Sequence, residues 1–197
     1  ARRAGLFVLV DAAHGSHFAF CSDFPQTPPQ AGADLCVMSL HKTLGAMNQT
    51  ALLLACGARV DTARLKDCVN MTQTTSPSYV LLSTADYIRA DLLARGDALL
   101  CRAAKRVLAL ENKVMSHTDF SFLPRDRFCC DPLRIVLDVS AYACDGFALS
   151  RRLSHDFGID AELADARHVV FIASHNHTAR EFDALTAALL ALGGTLS

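Results

Sequence analysis

The stretch that decides the fold is Leu6-Phe7-Val8-Leu9-Val10-Asp11-Ala12-Ala13-His14-Gly15-Ser16-His17. Its first five residues form a continuous apolar run, which is typical of a strand buried on both faces of a parallel sheet. The run ends at Asp11, and polar side chains follow at His14, Ser16 and His17. Open α/β sheets bind their ligands at the carboxyl ends of strands, so this segment predicts a functional site.

A second apolar run occupies residues 35–39 and leads directly into Leu40-His41-Lys42-Thr43-Leu44-Gly45. A third run, at residues 51–56, ends at Gly57. Three short strands this close together indicate an open α/β sheet. Lys42 has two interpretations at this point: a solvated loop lysine, or an amine activated by its neighbours for Schiff-base formation.

The rest of the chain alternates between helical and strand patterns. Periodicity predicts helices at residues 61–69, 78–95 and 97–116, the first with Asp61 as its N-cap. It then predicts, in order, a strand at 133–139, a helix at 146–157, a strand at 169–173 and a helix at 179–192 that Gly193-Gly194 closes. We therefore expect part of a large domain at 1–96, a connecting helix and linker at 97–130, and a small α/β domain at 131–197.

Composition excludes several classes of protein. With 197 residues, of which 51% are hydrophobic, the chain can bury a core and is not disordered. A formal charge of −1 without a basic tract argues against a nucleic-acid partner. The apolar runs are much shorter than the roughly 20 residues that span a bilayer, so we expect no membrane association and a soluble, cytoplasmic protein.

The eight cysteines and the remaining histidines suggest no further chemistry. There is no Cys-x-x-Cys motif, and most cysteines lie in apolar segments, so we expect reduced thiols. Cys129 and Cys130 receive no role. The pairs His175/His177 and His14/His17 lack the partners and spacing of a zinc site, so we expect no metal, and His17 is expected to be structural.

Three motifs together resemble the Orn/Lys/Arg decarboxylase family of fold-type I pyridoxal-phosphate enzymes. They are Val10-Asp11-Ala12-Ala13-His14-Gly15-Ser16-His17-Phe18, Ser39-Leu40-His41-Lys42-Thr43-Leu44 and Thr74-Thr75-Ser76-Pro77-Ser78-Tyr79, in the family's order. The stretch Gly158-Ile159-Asp160-Ala161-Glu162-Leu163-Ala164-Asp165 is similar to the start of the family's C-terminal domain core. The resemblance covers nearly the whole chain.

The resemblance implies a cofactor, pyridoxal 5′-phosphate, and a role for each motif residue. Lys42 would hold the cofactor as a Schiff base, and Asp11, a carboxylate expected to be buried at a strand end, would keep the ring nitrogen protonated. Asp11 has an alternative interpretation as a cap of the following turn. Ala13 is small enough for the cofactor ring to lie against it.

The remaining motif residues would surround the cofactor and the substrate. Ser39 and His41 would contact the phosphate, and His14 would contact the ring, its O3′ or the substrate carboxylate. Thr74, Thr75 and Ser76 would reach the phosphate of a neighbouring subunit, which implies a homo-oligomer with shared sites. This cluster can equally be a polar loop that caps the next helix.

The implied reaction is the decarboxylation of a basic amino acid, arginine, lysine or ornithine, to the corresponding diamine or polyamine. Glu162 and Asp165 would meet a cationic substrate at the entrance of the site, or are simply surface carboxylates. Two alternatives stay open: another fold-type I enzyme, such as an oxoamine synthase or a lyase, and an inactive fragment.

The implied fold is the second half of an aspartate-aminotransferase-like large domain, with a mostly parallel sheet and helices, followed by a small C-terminal α/β domain. Family members carry a long stretch before the Asp11 strand, including a glycine-rich phosphate-binding turn. The chain begins at Ala1 without an initiator Met and enters a strand at once. We therefore expect a missing N-terminal segment or a second chain.

Overall fold

The computed structural model describes residues 4–125 and 130–196, so Cys129 lies outside the described residues. The chain divides into two compact units, Ala1–Ala98 and Leu99–Ser197. Each unit has its own sheet, with three strands in the first unit and four in the second.

The sheet of the first unit has three strands in the order β1 (Leu9–Asp11), β2 (Leu35–Ser39) and β3 (Ala51–Ala55). All three predicted strands are present, although β1 begins three residues later than the apolar run. β1 pairs with β2 in parallel, whereas β2 pairs with β3 antiparallel. The second pairing was not anticipated from the sequence, because periodicity does not reveal the direction of a strand.

One face of this sheet is apolar and exposed. The register places Leu9 beside Leu35, and Val37 beside both Asp11 and Leu53, so these side chains share a face. Leu9 is 64% exposed, and Val37 and Leu53 are also exposed. The expectation that the first strand is buried on both faces is therefore wrong for the described part of the chain. On the opposite face, Cys36 and Met38 are buried.

A short 3₁₀ helix (Ser16–Phe20) follows β1, and a four-residue helix, α1 (Leu40–Thr43), follows β2. After β3 comes α2 (Thr62–Thr72), where the Asp61 side chain accepts a hydrogen bond from the Arg64 backbone N–H. This bond confirms Asp61 as the predicted N-cap.

The next helix, α3 (Tyr79–Met115), is one continuous element of 37 residues. The helical pattern predicts two helices separated near Gly96, and that prediction is wrong. A Cβ at Gly96 would lie 2.9 Å from the Cβ of Phe20. Glycine is therefore present because the helix passes close to the 3₁₀ segment, and not because the helix ends there.

An ion pair between the exposed Arg59 and the buried Asp34 holds the amino-terminal side of the first sheet together. Asp34 is 1% exposed, accepts a hydrogen bond from the Val8 N–H at 2.8 Å, and pairs with Arg59 through Nε at 2.8 Å and through Nη2. Arg59 also donates to the carbonyls of Gly5 and Leu6. These contacts fix the segment before β1 against β2, and the hydrogen bond with Asp34 raises the pKa of Arg59.

We expect Asp34→Asn to lower the free energy of unfolding by at least about 2 kcal/mol, because charged hydrogen bonds in a buried setting are lost. The matched control is Asp86→Asn, which breaks an exposed Arg89–Asp86 pair of the same residue types. Its expected cost is below about 0.5 kcal/mol. Chemical denaturation measures both values. Equal losses of unfolding free energy in the two variants would contradict a stabilising role for the Asp34–Arg59 pair.

The second unit contains a four-stranded sheet in the order β4 (Ser121–Phe122), β5 (Arg134–Asp138), β7 (His168–Ile172) and β6 (Leu163–Ala164). Every pairing in it is antiparallel. The unit also contains the later part of α3, followed by the helices α4 (Gly146–Phe157) and α5 (Ala179–Leu196). The two predicted strands and two predicted helices are confirmed, whereas β4 and β6 are too short to give a sequence signal. The fully buried side chains of this unit include Leu100, Val107, Ile135, Leu137, Leu149, Leu153, Val169 and Leu189.

The pair Gly193-Gly194 does not close α5 as predicted, since the helix continues to Leu196. A Cβ at Gly193 would lie 2.4 Å from Cγ2 of Thr118, whereas one at Gly194 would meet nothing within 4 Å. Thr118 cannot easily turn away, because its hydroxyl donates to the Val114 carbonyl at 2.8 Å. Gly193 is therefore a close-packing residue.

Adjacent glycines in one helix give a matched pair of substitutions. We expect Gly193→Ala to destabilise the protein by about 2 kcal/mol through overpacking against Thr118. Gly194→Ala should be neutral or stabilising by up to about 0.5 kcal/mol, because alanine has the higher helix propensity. Thermal unfolding of both variants tests this, and a harmless Gly193→Ala would show that the contact with Thr118 is not tight.

Candidate active site

The structure brings together the two motifs that follow β1 and β2. Lys42, in α1, places its Nζ 3.5 Å from Nε2 of His14, in the turn after β1. The Lys42 side chain is exposed, and among residues 4–125 and 130–196 no carboxylate forms an ion pair with it. An accessible primary amine therefore lies beside an imidazole, in a position to react with a carbonyl compound.

A buried hydrogen bond connects the same two motifs through the backbone. The hydroxyl of Ser16, which is buried, donates to the Ser39 carbonyl at 2.8 Å. The Ala12 N–H donates to the Val37 carbonyl at 2.8 Å, which extends the β1–β2 pairing into the turn. These bonds hold the turn that carries His14 against the strand that leads to Lys42.

Asp11 ends β1 and caps the turn that follows it. Its Oδ1 accepts a hydrogen bond from the Ala13 N–H at 3.0 Å, as in the alternative interpretation given above. The side chain is exposed, whereas the sequence analysis expected a buried carboxylate. The difference arises because Asp11 lies on the uncovered face of the sheet, beside Val37.

Ser39 and His41 flank the start of α1. Ser39 is buried at the N-cap position, and His41 is half-buried. The Nδ1 atom of His41 lies 3.0 Å from the Thr50 carbonyl. Because a carbonyl only accepts, Nδ1 carries the hydrogen in this contact and Nε2 is the ring nitrogen that remains for a ligand. Thr50 was not identified from the sequence.

His17 is not part of this cluster. It is 1% exposed, and its ring packs edge-on against Phe18 and Phe24, with centroid distances of 4.7 and 5.3 Å. This packing agrees with the structural role expected for it.

The other proposed site residues belong to an exposed loop of the first unit and to the β6 region of the second unit. Thr74, Thr75 and Ser76 form an exposed loop between α2 and α3, where the Thr74 hydroxyl accepts a hydrogen bond from the Ser76 N–H. In the second unit, Glu162 is exposed next to β6. Asp165 accepts hydrogen bonds from the N–H groups of Arg167 and His168, and these bonds lower its pKa. Asp165 therefore stabilises the turn between β6 and β7.

Comparison with known proteins shows which family the chain resembles. A family model described as "Orn/Lys/Arg decarboxylase, major domain" matches residues 1–124. An arginine decarboxylase of Bacillus cereus is 30% identical over 200 residues, which covers 95% of this chain and 42% of that protein. The chain thus spans about two fifths of the length of the curated relatives it matches.

Solved structures show the same fold. The constitutive lysine decarboxylase of E. coli superimposes with a TM-score of 0.73 and 16% identity, covering 93% of this chain and 32% of that one. An alanine–glyoxylate aminotransferase from Nostoc sp. gives a TM-score of 0.68 and 20% identity, covering 97% and 55%. The predicted aminotransferase-like α/β fold is therefore confirmed. Among the described residues, none of the helices is both long enough and apolar enough to cross a membrane.

Proposed function

The chain belongs to the Orn/Lys/Arg decarboxylase family, and on that premise we propose that it carries the reactive lysine of a basic amino-acid decarboxylase dependent on pyridoxal 5′-phosphate. The observation that carries the proposal is the 3.5 Å approach of Lys42 Nζ to His14 Nε2 where β1 and β2 lead into their turns. Among the described residues the Lys42 amine has no carboxylate partner, and an amine next to an imidazole suits both covalent attachment of an aldehyde and proton transfer.

The donor set around Lys42 fits the cofactor. An exposed amine at Lys42, a carboxylate at Asp11 and an imidazole at His41 are the groups that its aldehyde, ring nitrogen and phosphate require. Only Oδ1 of Asp11 is used by the turn, so Oδ2 is the oxygen that would face the ring nitrogen. Ala13, next to this turn, has no side chain beyond Cβ to obstruct a ring.

Ser39 and His41 would hold the phosphate. The serine is the last residue of β2 and the N-cap of α1, and the histidine precedes Lys42 within α1. With Nδ1 donating to the Thr50 carbonyl, His41 would donate to the phosphate through Nε2 in the form that carries a hydrogen on both ring nitrogens. Hydroxyl and imidazole donors form short, strong hydrogen bonds to a phosphate dianion.

Bound at Lys42, the cofactor would accept the electron pair that remains when the substrate loses its carboxyl group as carbon dioxide. The residues of this chain then handle protons. Once Lys42 is displaced by the substrate amine, its Nζ is free to deliver a proton to Cα. His14, at hydrogen-bond distance from Nζ, would orient that amine and contact the ring or the substrate carboxylate.

We also propose that sites are shared in a homo-oligomer. The loop of Thr74, Thr75 and Ser76 is fully exposed, and its hydroxyl groups are available to a phosphate on a neighbouring subunit. Glu162, exposed in the second unit, would attract the cationic side chain of arginine, lysine or ornithine. The products would be the corresponding diamine or polyamine.

A further segment of the protein, or a second chain, would complete the large domain. The exposed apolar face of Leu9, Val37 and Leu53 supports this part of the proposal, because soluble monomers rarely leave such a face uncovered. We take residues 1–96 as the large-domain portion, 97–130 as the connection and 131–197 as the small domain. We also propose a reducing, cytoplasmic setting, which the position of most cysteines in apolar segments supports.

The test is carbon dioxide release by the full protein, supplied with pyridoxal 5′-phosphate and, separately, with arginine, lysine or ornithine. We expect release from at least one of the three. A lysine-bound cofactor spectrum without carbon dioxide release would favour an oxoamine synthase or a lyase instead. The absence of any cofactor spectrum would favour an inactive fragment.

A further inference from the structure

The turn that follows the Lys42 helix has an unusual backbone. Gln49 has φ = 74°, and among the described residues it is the one non-glycine residue in the left-handed region. The Thr50 N–H donates to the Met47 carbonyl at 3.3 Å, which closes a four-residue turn with Gln49 in its third position. A positive φ at that position alone defines a type II turn, where glycine or asparagine is usual.

This turn is fastened by its own side chains. The Asn48 Oδ1 accepts from the Gln49 N–H at 2.9 Å, and the Thr50 hydroxyl donates to the Met47 carbonyl. Thr50 itself is buried. Several hydrogen bonds therefore hold Gln49 in its left-handed backbone conformation. Such support is expected where a strained backbone positions neighbouring residues.

The turn presents one carbonyl to two donors next to the reactive lysine. The Thr50 carbonyl accepts from the Leu40 N–H at 3.0 Å and from Nδ1 of His41 at 3.0 Å. The first bond fixes the start of the helix that carries Lys42. The second fixes the direction of the imidazole through an Nδ1 hydrogen and leaves Nε2 to donate when it also carries a hydrogen. Both hydrogen bonds depend on the direction of the Thr50 carbonyl, which the backbone conformation of Gln49 sets.

We propose that Gln49 is a positioning residue: its left-handed backbone aims the Thr50 carbonyl at His41, and so orients Nε2 of that ring toward the cofactor phosphate. This inference rests on the proposed function, because it assumes that His41 holds the phosphate. Gln49 acts only through its backbone, since its side chain is exposed. What matters is therefore the ability of residue 49 to adopt a positive φ.

The experiment compares residues that tolerate this conformation with one that does not. Gln49→Gly and Gln49→Asn keep a positive φ accessible, whereas the β-branched side chain of Gln49→Val does not. The matched control is Gln26→Val, at an exposed glutamine outside the left-handed region. Spectroscopic titration of the full protein measures the dissociation constants for pyridoxal 5′-phosphate and for pyridoxal, which lacks the phosphate.

We expect Gln49→Val to weaken pyridoxal 5′-phosphate binding about tenfold more than it weakens pyridoxal binding, because only the phosphate compound loses the charge-assisted hydrogen bond from His41. Gln49→Gly, Gln49→Asn and Gln26→Val should bind both compounds within about twofold of the unsubstituted protein, a difference well under 1 kcal/mol in binding terms. In a His41→Ala background, Gln49→Val should have no further effect on phosphate-dependent affinity.

Two outcomes overturn the inference: unchanged pyridoxal 5′-phosphate affinity in Gln49→Val, or an equal loss of affinity for both compounds. Circular dichroism checks folding, and if Gln49→Val does not fold, Gln49→Thr, which is also β-branched, takes its place with the same expected direction. A protein without substitutions that fails to bind the cofactor at all contradicts the proposed function instead, so the two failures are distinguishable.

Discussion

Lys42→Ala is expected to eliminate the absorbance band of the lysine-bound cofactor and to reduce decarboxylation by more than about 10³-fold. Alanine removes the amine that holds the cofactor and that returns a proton to the substrate. The fold should not change, because the Lys42 side chain is exposed and its described hydrogen-bond contact is the 3.5 Å approach to His14. Absorbance titration and carbon dioxide release measure the two effects.

The matched control is Lys66→Ala, at an exposed lysine in α2. It removes the same charge from the same unit and should leave both the band and the rate unchanged. Retention of the band in Lys42→Ala would show that another amine binds the cofactor, and would contradict the assignment of Lys42.

Asp11→Asn is expected to lower the rate by on the order of 10²–10³-fold while the protein stays folded. Asparagine keeps an oxygen that can accept the hydrogen bond from the Ala13 N–H, so the turn after β1 is preserved. What is lost is the negative charge that would hold the cofactor's ring nitrogen in its protonated form. Steady-state kinetics and the absorbance of the bound cofactor report the loss.

Asp61→Asn serves as the control for this substitution. Asp61 caps α2 through its side chain, and asparagine is an equally good N-cap, so neither stability nor rate should change. If Asp11→Asn has the same rate as the unsubstituted protein, Asp11 stabilises the turn and does not take part in the reaction.

The juxtaposition of Lys42 and His14 could be anticipated from the sequence because both residues follow apolar runs. The carboxyl ends of neighbouring parallel strands lie at one edge of a sheet, and β1 and β2 are such neighbours. The helix cap at Asp61 was likewise readable, since the interaction lies within four residues. These features are local, or follow from a general rule of sheet construction.

Other features depend on contacts between residues far apart in the chain. The ion pair of Asp34 with Arg59 and the bond from Ser16 to the Ser39 carbonyl require the folded sheet. The sequence does not reveal the left-handed conformation of Gln49, because such a turn is normally recognised by a glycine or asparagine at that position. The continuity of α3 through Gly96 reflects packing against Phe20, which the helical pattern alone cannot show.

The exposure of Asp11 and the direction of β3 were missed for a related reason. Alternation of apolar residues predicts that a strand exists, and not which faces are covered or how the strand pairs. In the structure, β3 returns antiparallel through the tight turn at Met47–Thr50, and this return places the Thr50 carbonyl next to His41. The inferred role of Gln49 therefore emerged only from the three-dimensional arrangement.

The central claim is tested most directly by locating the lysine that binds the cofactor. The full protein would be incubated with pyridoxal 5′-phosphate, reduced with borohydride, digested and examined by peptide mass spectrometry. We expect a phosphopyridoxyl group on Lys42. A modification confined to Lys66, Lys105 or Lys113, the other lysines of the chain, or no modification at all, would contradict it.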